Sequence, residues 1–410
     1  MDSGLAATAS QWAADSNQAL HIQLISADTP EAVLKVLSTD IAAAQDKADD
    51  GDGDDDEDSA DVIQFHPAFT YPIYGEHERV FGYKGLRINL SYAAGSLATL
   101  LEVTYTKRID DMESSMAVQL RADDVDKPLR ELLGDTGVCT SHREFAERVA
   151  RDTATFRPPG RKMHEYTRDD TTYEIYEGQL AEDSAVRELH GRLQLFVLLY
   201  IEGAQYIDAH DPRWRLFTVF EKLELPGGTS YQLVGFCTLY EFFAWPDRKR
   251  PRISQFLVLP PFQARGHGSE LYAHIYRRTC ASPECRELTV EDPSEAFDDM
   301  RDRNDLRTLL GAKAFDGLCA PVASAEIDAL ARRFKLSRRQ LTRCLEIVLL
   351  RSLDKKNAAA YAAYRLFVKR RIYAQNSDQM AAMDAGERKI KVAEAYAAVE
   401  DDYYRILGLI

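Results

Sequence analysis

Long hydrophobic runs are missing from this chain of 410 residues. The longest clean apolar run, Leu195 to Ile201, falls far short of the ~20 residues that a membrane-spanning helix needs. No contact with a membrane is expected. The opening MDSGLAATASQW has no basic segment leading into an apolar one, so it lacks the pattern of a secretory signal. Cysteine is scarce, with six residues scattered along the chain and only Cys280 and Cys285 near each other. That usage excludes a disulfide framework and fits a reduced intracellular protein. Positive charge is in deficit: 51 Lys and Arg stand against 66 Asp and Glu, for a net charge of −15. An acidic chain is not expected to hold nucleic acid over its whole surface, and it suits a basic partner or substrate better. No repeat at a solenoid period is present, which excludes a repeat array.

Apolar residues at 45% and charged residues at 29% give the balance of a soluble globular protein. The length corresponds to two or three domains. Much of the negative charge is local, because Asp46 to Asp61 holds ten acidic residues and one Lys. Such a segment cannot bury enough apolar surface to offset its ordering entropy and is read as a disordered insertion. Asp50, Asp52 and Asp54 mimic the start of a calcium loop, but Asp55 and Asp61 stand where that loop needs Gly and Glu.

The pattern along the chain predicts an α+β fold. After a flexible tail (1–16), an amino-terminal α+β domain is expected over 17–150. There HIQLI reads as a strand, Pro30 opens a helix, and alternation at Leu86, Ile88 and Leu90 pairs with LLEVTY (100–105). A second domain, 151–318, begins with the strand TYEIYEGQL (172–180) and a helix that Ser184 could cap. LFTVFEKL, a Pro226-Gly227-Gly228 turn and YQLVGFCTLYEFF then read as a hairpin. RISQFLVLP (252–260) is apolar enough for a central strand, and a helix from Ser269 and a strand at 287–292 follow. The remainder, 319–410, reads as helical. Glu326 to Gln375 carries thirteen Lys or Arg against four acids, which is expected to form a solvated basic face.

Chemistry concentrates at the strand that runs into Gln263-Ala264-Arg265-Gly266-His267-Gly268, with a helix starting directly afterwards. The first N–H groups of a helix lack internal partners and carry partial positive charge. Glycines at 266 and 268 let backbone approach an anion closely, so the loop is suited to phosphates. No Gly-Lys-Ser/Thr follows, which excludes a P-loop, and the first position is Gln rather than the Gly of a dinucleotide fingerprint. The bare Gln-x-x-Gly-x-Gly pattern is weak, since about 0.4 such matches arise by chance at this length. Its strand–loop–helix context makes it strong. No second His, Cys or acid lies at ligand spacing from His267, so no metal is expected.

In that context the loop resembles the coenzyme A signature of GNAT acetyltransferases. The longer strings RPRISQFLVLPPFQARGHG (250–268), ELTVEDPSEAFDDMRD (287–302), FGYKGLRINLSYAAGSL (81–97) and DPRWRLFTVFEK (211–222) resemble the type B histone acetyltransferase catalytic subunits, over about residue 17 to the carboxyl end. The acidic run is the main departure from that pattern. The resemblance implies a GNAT core with a mixed, largely antiparallel sheet that binds acetyl-CoA. Phe256, Leu257 and Val258 would face the pantetheine and thioester. Gln263, Ala264, Arg265, Gly266, His267, Gly268 and Ser269 would wrap the pyrophosphate, and Ser294 would add a contact. A lysine amine is protonated at neutral pH and must lose a proton before attacking a thioester. The resemblance assigns the general base to Glu291 and a supporting carboxylate to Asp292; the bland reading of Asp292 is a cap for the helix after Pro293.

The same resemblance puts the substrate on Glu76, His77, Glu78, Trp214, Tyr240, Glu241 and Phe242, although on alternation alone Tyr240 and Phe242 read as core. It implies the tail of newly made core histone four as substrate, a WD-repeat histone-binding subunit as partner, and a place in nucleus and cytoplasm. No direct nucleic-acid contact is expected. Two rivals stand beside this reading. One is a GNAT enzyme for another basic peptide or a small amine. The other is a non-enzymatic histone-binding or nucleic-acid module, the latter reading through FKLSRRQLTRCLEIV (334–348), which has the basic content of a helix-turn-helix but no Gly turn.

Overall fold

The computed structural model describes residues 11–43, 60–112, 120–225, 228–354 and 356–409. The acidic insertion lies outside these except for its last two residues. The chain divides into two compact units, 1–239 with 255–267 and 240–254 with 268–410.

In the first unit the described end of the expected flexible tail is folded, with Trp12 buried and Ala13–Asp15 pairing antiparallel with Arg79–Phe81. Strand β1 (Leu20–Ser26) and helix α1 (Pro30–Ala43) follow. Pro30 costs no hydrogen bond at the helix start, and Thr29 Oγ1 accepts from Ala32 N at 3.3 Å. Strands β2 (Asp61–Phe65), β3 (Arg87–Ala93) and β4 (Thr99–Thr104) complete a sheet in the order β2-β1-β3-β4. β1 runs antiparallel to β2 and parallel to β3, and β3 pairs antiparallel with β4 through Ile88–Val103 and Leu90–Leu101. Helix α2 (His142–Thr155) starts where Ser141 Oγ accepts from Glu144 N at 3.2 Å. Val33 and Leu37 of α1 meet Phe145 and Val149 of α2 over Ile25 and Leu100, forming one apolar core.

A six-stranded sheet follows. It is made of β5 (Arg161–Arg168), β6 (Thr171–Gln179), β7 (Trp214–Leu225), β8 (Gly228–Ala244), β9 (Arg248–Val258) and β10 (Thr289–Val290) in the order β10-β9-β8-β7-β6-β5. β5 is an edge strand that the sequence reading did not find, because its charged, mostly exposed residues show no apolar alternation. Between β6 and β7 lies helix α3 (Ser184–Tyr200). Its cap is Asp183, which accepts from Ala185 N and Val186 N; Ser184, the expected cap, is the first helical residue. Glu174 on β6 is 2% exposed, and it is compensated by Lys162 Nζ at 2.6 Å and the Tyr176 hydroxyl at 2.5 Å.

The second unit holds the tip of the β8–β9 hairpin, β10 and most of helix α4 (His267–Ala281), followed by α5 (Glu295–Gly311), α6 (Ser324–Phe334), α7 (Arg338–Ser352), α8 (Ala358–Gln375) and α9 (Ala385–Leu407). A helix-turn-helix does form at 324–352, with Lys335 taking the left-handed position (φ 48°) that glycine usually fills. Most basic residues of this segment do face solvent, as expected: Arg332, Arg333, Arg338, Arg339, Arg351, Lys356, Arg365 and Arg370 are exposed. Helix α7 itself is largely buried, through Leu341, Cys344, Leu345, Glu346 and Ile347. Two arginines turn inward. Arg343 reaches Asp302 at 2.6 Å and Asp402 at 2.7 Å, and Arg371 of α8 reaches the fully buried Glu346 at 2.7 Å.

Candidate active site

Strand β9 carries two sets of side chains. Ile253, Gln255 and Leu257 are buried, whereas Arg252, Ser254, Phe256 and Val258 are half-exposed. Gln255 locks the strand in place. Its N–H donates to Thr238 Oγ1 at 3.1 Å, its Oε1 accepts from the same hydroxyl at 3.2 Å, and its Nε2 donates to Gln205 O at 3.1 Å. Gly235 on β8 is required by proximity, since a Cβ there would meet Leu257 O at 2.5 Å.

At the end of β9 the loop is tied down by Gln263, whose Nε2 donates to Val258 O at 2.8 Å. The chain then takes left-handed conformations at Ala264 (φ 58°) and Gly266 (φ 86°) before α4 begins at His267. Alternating hand turns successive N–H groups toward one concavity, and the helix start adds its unpaired N–H groups. These residues fit a pyrophosphate held by backbone. A side chain at Gly266 would also meet the Arg168 guanidinium, at 2.7 Å. Arg168 on β5 thus supplies a cation beside the loop that nothing in the sequence pattern pointed to. The His267 ring is 1% exposed, pairs with the Tyr166 hydroxyl at 2.8 Å and packs 4.4 Å from the Tyr173 ring. Burial, reinforced by Arg265 and Arg168, lowers its pKa to about 4. His267 therefore serves the loop through its backbone and anchors it through a neutral ring.

In the second unit, β10 pairs parallel with β9, with Arg252 opposite Thr289 and Ile253 opposite Val290. The next residue is Glu291. Its N–H donates to Ile253 O at 2.9 Å, and its Oε2 accepts from Ser254 Oγ at 2.5 Å. Glu291 is otherwise exposed, so its second oxygen is open to a proton donor. Asp292 turns the chain at φ 30°, a conformation that Asp tolerates better than most residues. It does not cap the following helix. Helix α5 starts at Glu295, and Ser294 is the cap, with Oγ accepting from Phe297 N at 3.3 Å. Ser269 Oγ accepts from Asn304 at 3.1 Å. A cavity of about 680 Å³ lies in the second unit between Arg252, Thr289 and Val290 on one side and Arg301, Gln340 and Arg343 of α5 and α7 on the other; Glu291 does not line it.

The expected substrate residues have varied surroundings. Tyr240 and Phe242 contact edge-to-face at 4.5 Å, and the Arg252 guanidinium lies 4.5 Å over the Phe242 ring. Both aromatics are partly exposed rather than core. Glu241 pairs with Lys249 at 3.1 Å and Arg278 at 3.6 Å. In the first unit, Glu76 and His77 are exposed in a turn, while Glu78 uses Oε1 to accept from Thr70 N and Tyr71 N at 2.7 and 3.2 Å. Trp214 opens β7, half-buried.

A glycine loop between a pinned strand and a helix start suits an anionic cofactor, and in the second unit a carboxylate is held by Ser254. The chain's relatives are named acetyltransferases, which makes the class an acetyl-CoA-dependent acetyltransferase. Comparison with known proteins gives the particular family. The family described as "Histone acetyl transferase HAT1 N-terminus" matches residues 12–202, and "Fungal HAT1, C-terminal" matches 302–354. Relatives named "Histone acetyltransferase type B catalytic subunit" include those of Cryptococcus neoformans var. neoformans serotype D (strain JEC21), 35% identical over 99% of both chains, and Mycosarcoma maydis, 39% identical over 84% of this chain and 83% of that one. The Homo sapiens relative is 31% identical over 85% of this chain and 88% of its own. The chain belongs to the family of type B histone acetyltransferase catalytic subunits. A solved Arabidopsis thaliana Naa50 complex overlays 35% of this chain and 82% of its own at 14% identity and a TM-score of 0.22, too partial an overlay to bear on substrate or mechanism.

Proposed function

We propose that this enzyme acetylates lysines in the amino-terminal tail of newly made core histone four, in a GxGK context, with Glu291 as general base. The observation that carries the reading is the Glu291 carboxylate, held at 2.5 Å by Ser254 of the strand that leads into the glycine loop. Acetyl-CoA supplies an activated acetyl group as a thioester. Glu291 takes a proton from the substrate ammonium, which leaves a neutral amine able to attack the thioester carbon. A backbone N–H near Val258 stabilises the oxygen that becomes negative in that attack. The backbone of Gln263 through Ser269 binds the pyrophosphate, and Asp292 is the supporting carboxylate beside the base. No acyl-cysteine step is involved: the Cys237 thiol is fully buried and its pKa is pushed up by that burial.

For the substrate tail, Tyr240 and Phe242 offer an aromatic ledge in the second unit, and Glu76, His77, Glu78, Trp214 and Glu241 complete the expected contacts. A WD-repeat histone-binding subunit is the proposed partner, and nucleus and cytoplasm the proposed location. The test is mass-spectrometric mapping of acetylated lysines on a histone mixture incubated with acetyl-CoA. Early acetylation concentrated on the histone-four tail supports the reading. Acetylation spread evenly over the histones overturns it.

A further inference from the structure

We infer that Ser254 is a positioning residue for acetyl transfer, fixing the orientation of the Glu291 carboxylate through the bond from its hydroxyl. The inference rests on the reading of Glu291 as base. Three features single Ser254 out. Its Oγ donates to Glu291 Oε2 at 2.5 Å, within the short range of O–H···O⁻ bonds to an ionised acceptor. Its backbone neighbours are fixed on both sides, by the Glu291 N to Ile253 O bond at 2.9 Å and by the hydrogen bonds of the buried Gln255. It also belongs to the half-exposed set of β9, so the hydroxyl contacts the carboxylate where water could otherwise compete.

The chemistry follows from the two carboxylate oxygens. One is engaged by Ser254, which removes a rotational choice and leaves the lone pairs of the other to accept the ammonium proton. Proton balance is simple. The first amine proton passes to Glu291, the nitrogen forms the new C–N bond, the C–S bond breaks, and the second nitrogen proton leaves to solvent or to the departing thiolate. Ser254 keeps its own proton throughout.

The test is steady-state and single-turnover acetylation of a histone-four tail peptide by Ser254→Ala and Ser254→Thr, each also in a Glu291→Gln background. Ser254→Ala should lower kcat roughly tenfold, the worth of about one hydrogen bond to a charged group. KM for acetyl-CoA should stay within about twofold, so that the loss falls on kcat. Ser254→Thr keeps the hydroxyl and suits a strand, so it should recover most of the rate. In the Glu291→Gln background, Ser254→Ala should cost little more, because the base that Ser254 positions is already gone. A full tenfold loss in that background, or a raised KM for acetyl-CoA with kcat unchanged in the single variant, overturns the inference by showing a structural role. A Glu291→Gln enzyme that runs at wild-type rate instead overturns the base assignment itself, a distinct outcome read from that variant alone.

Discussion

Gly266 is the residue on which the phosphate loop depends most visibly. Its φ of 86° disfavours any side chain, and a Cβ would press on the Arg168 guanidinium. Gly266→Ala should therefore weaken acetyl-CoA binding at least tenfold, or about 1.4 kcal/mol, as read by titration calorimetry. Unchanged affinity with an intact fold would remove the loop from the cofactor site. The role of Gln263 is more specific than its place in a pattern suggests. By bonding Val258 O it ties strand end to loop, which accounts for a Gln at that position where only backbone meets the phosphate. Gly235 and Ser254 were not legible in sequence, because each is one small residue in an alternating strand. What makes them matter is the carbonyl or carboxylate brought against them from elsewhere in the chain.

At the scale of elements, β9, its glycine loop and α4 were readable because an apolar strand and a helix with a polar face bracket residues of unusual conformation. The parallel partner of β9 was readable too, as a short apolar strand ending in acids. Other elements were not. β5 carries no alternation, and among the basic residues of 326–375 the sequence cannot show that Arg343 and Arg371 are the ones drawn inward, by Asp302, Asp402 and Glu346. The cap of α5 fell to Ser294 rather than Asp292 because Asp292 stands at φ 30°, away from the extended conformation of a cap, which Ser294 adopts. The buried ion pairs make a sharp prediction. Asp302 is 1% exposed and is held by Arg343 and by Gln340 Nε2 at 2.8 Å. Arg343→Ala strands that carboxylate and should cost about 3–5 kcal/mol in denaturant unfolding. A loss below about 1 kcal/mol would mean that the α5–α7 packing does not rely on the pair.

For the whole molecule, acid should be destabilising below the ordinary histidine range. Burial lowers His21, His190 and His267 to a pKa of about 4, with Arg87 and His66 adding to the effect at His21. Their unfolded forms take up protons near pH 6.5 while the folded forms do not, so stability is lost as pH falls from about 6.5 toward 4. Asp305 acts in the opposite sense: burial raises it to about 6, so it gains a proton in the folded state first. Burial raises Glu221 and Asp298 in the same way, and the three histidines are expected to outweigh these acids between pH 6.5 and 4.5. The melting temperature should fall steadily between pH 6.5 and 4.5, and His190→Leu should reduce that slope. Neither ring nitrogen of His190 has a hydrogen-bond partner among the described residues, so leucine removes little but the proton site. A flat profile would contradict this account of the buried histidines.

The central claim is that one carboxylate, Glu291, removes the proton that keeps a lysine amine from attacking. Single-turnover acetylation of a histone-four tail peptide at saturating acetyl-CoA tests it directly, with Glu291→Gln against wild type. The substitution keeps shape and cofactor binding but cannot accept the proton, so the rate should fall by roughly 10²–10⁴ and recover partly at high pH, where more lysine is already neutral. A Glu291→Gln rate within about threefold of wild type would place the base elsewhere and contradict the assignment.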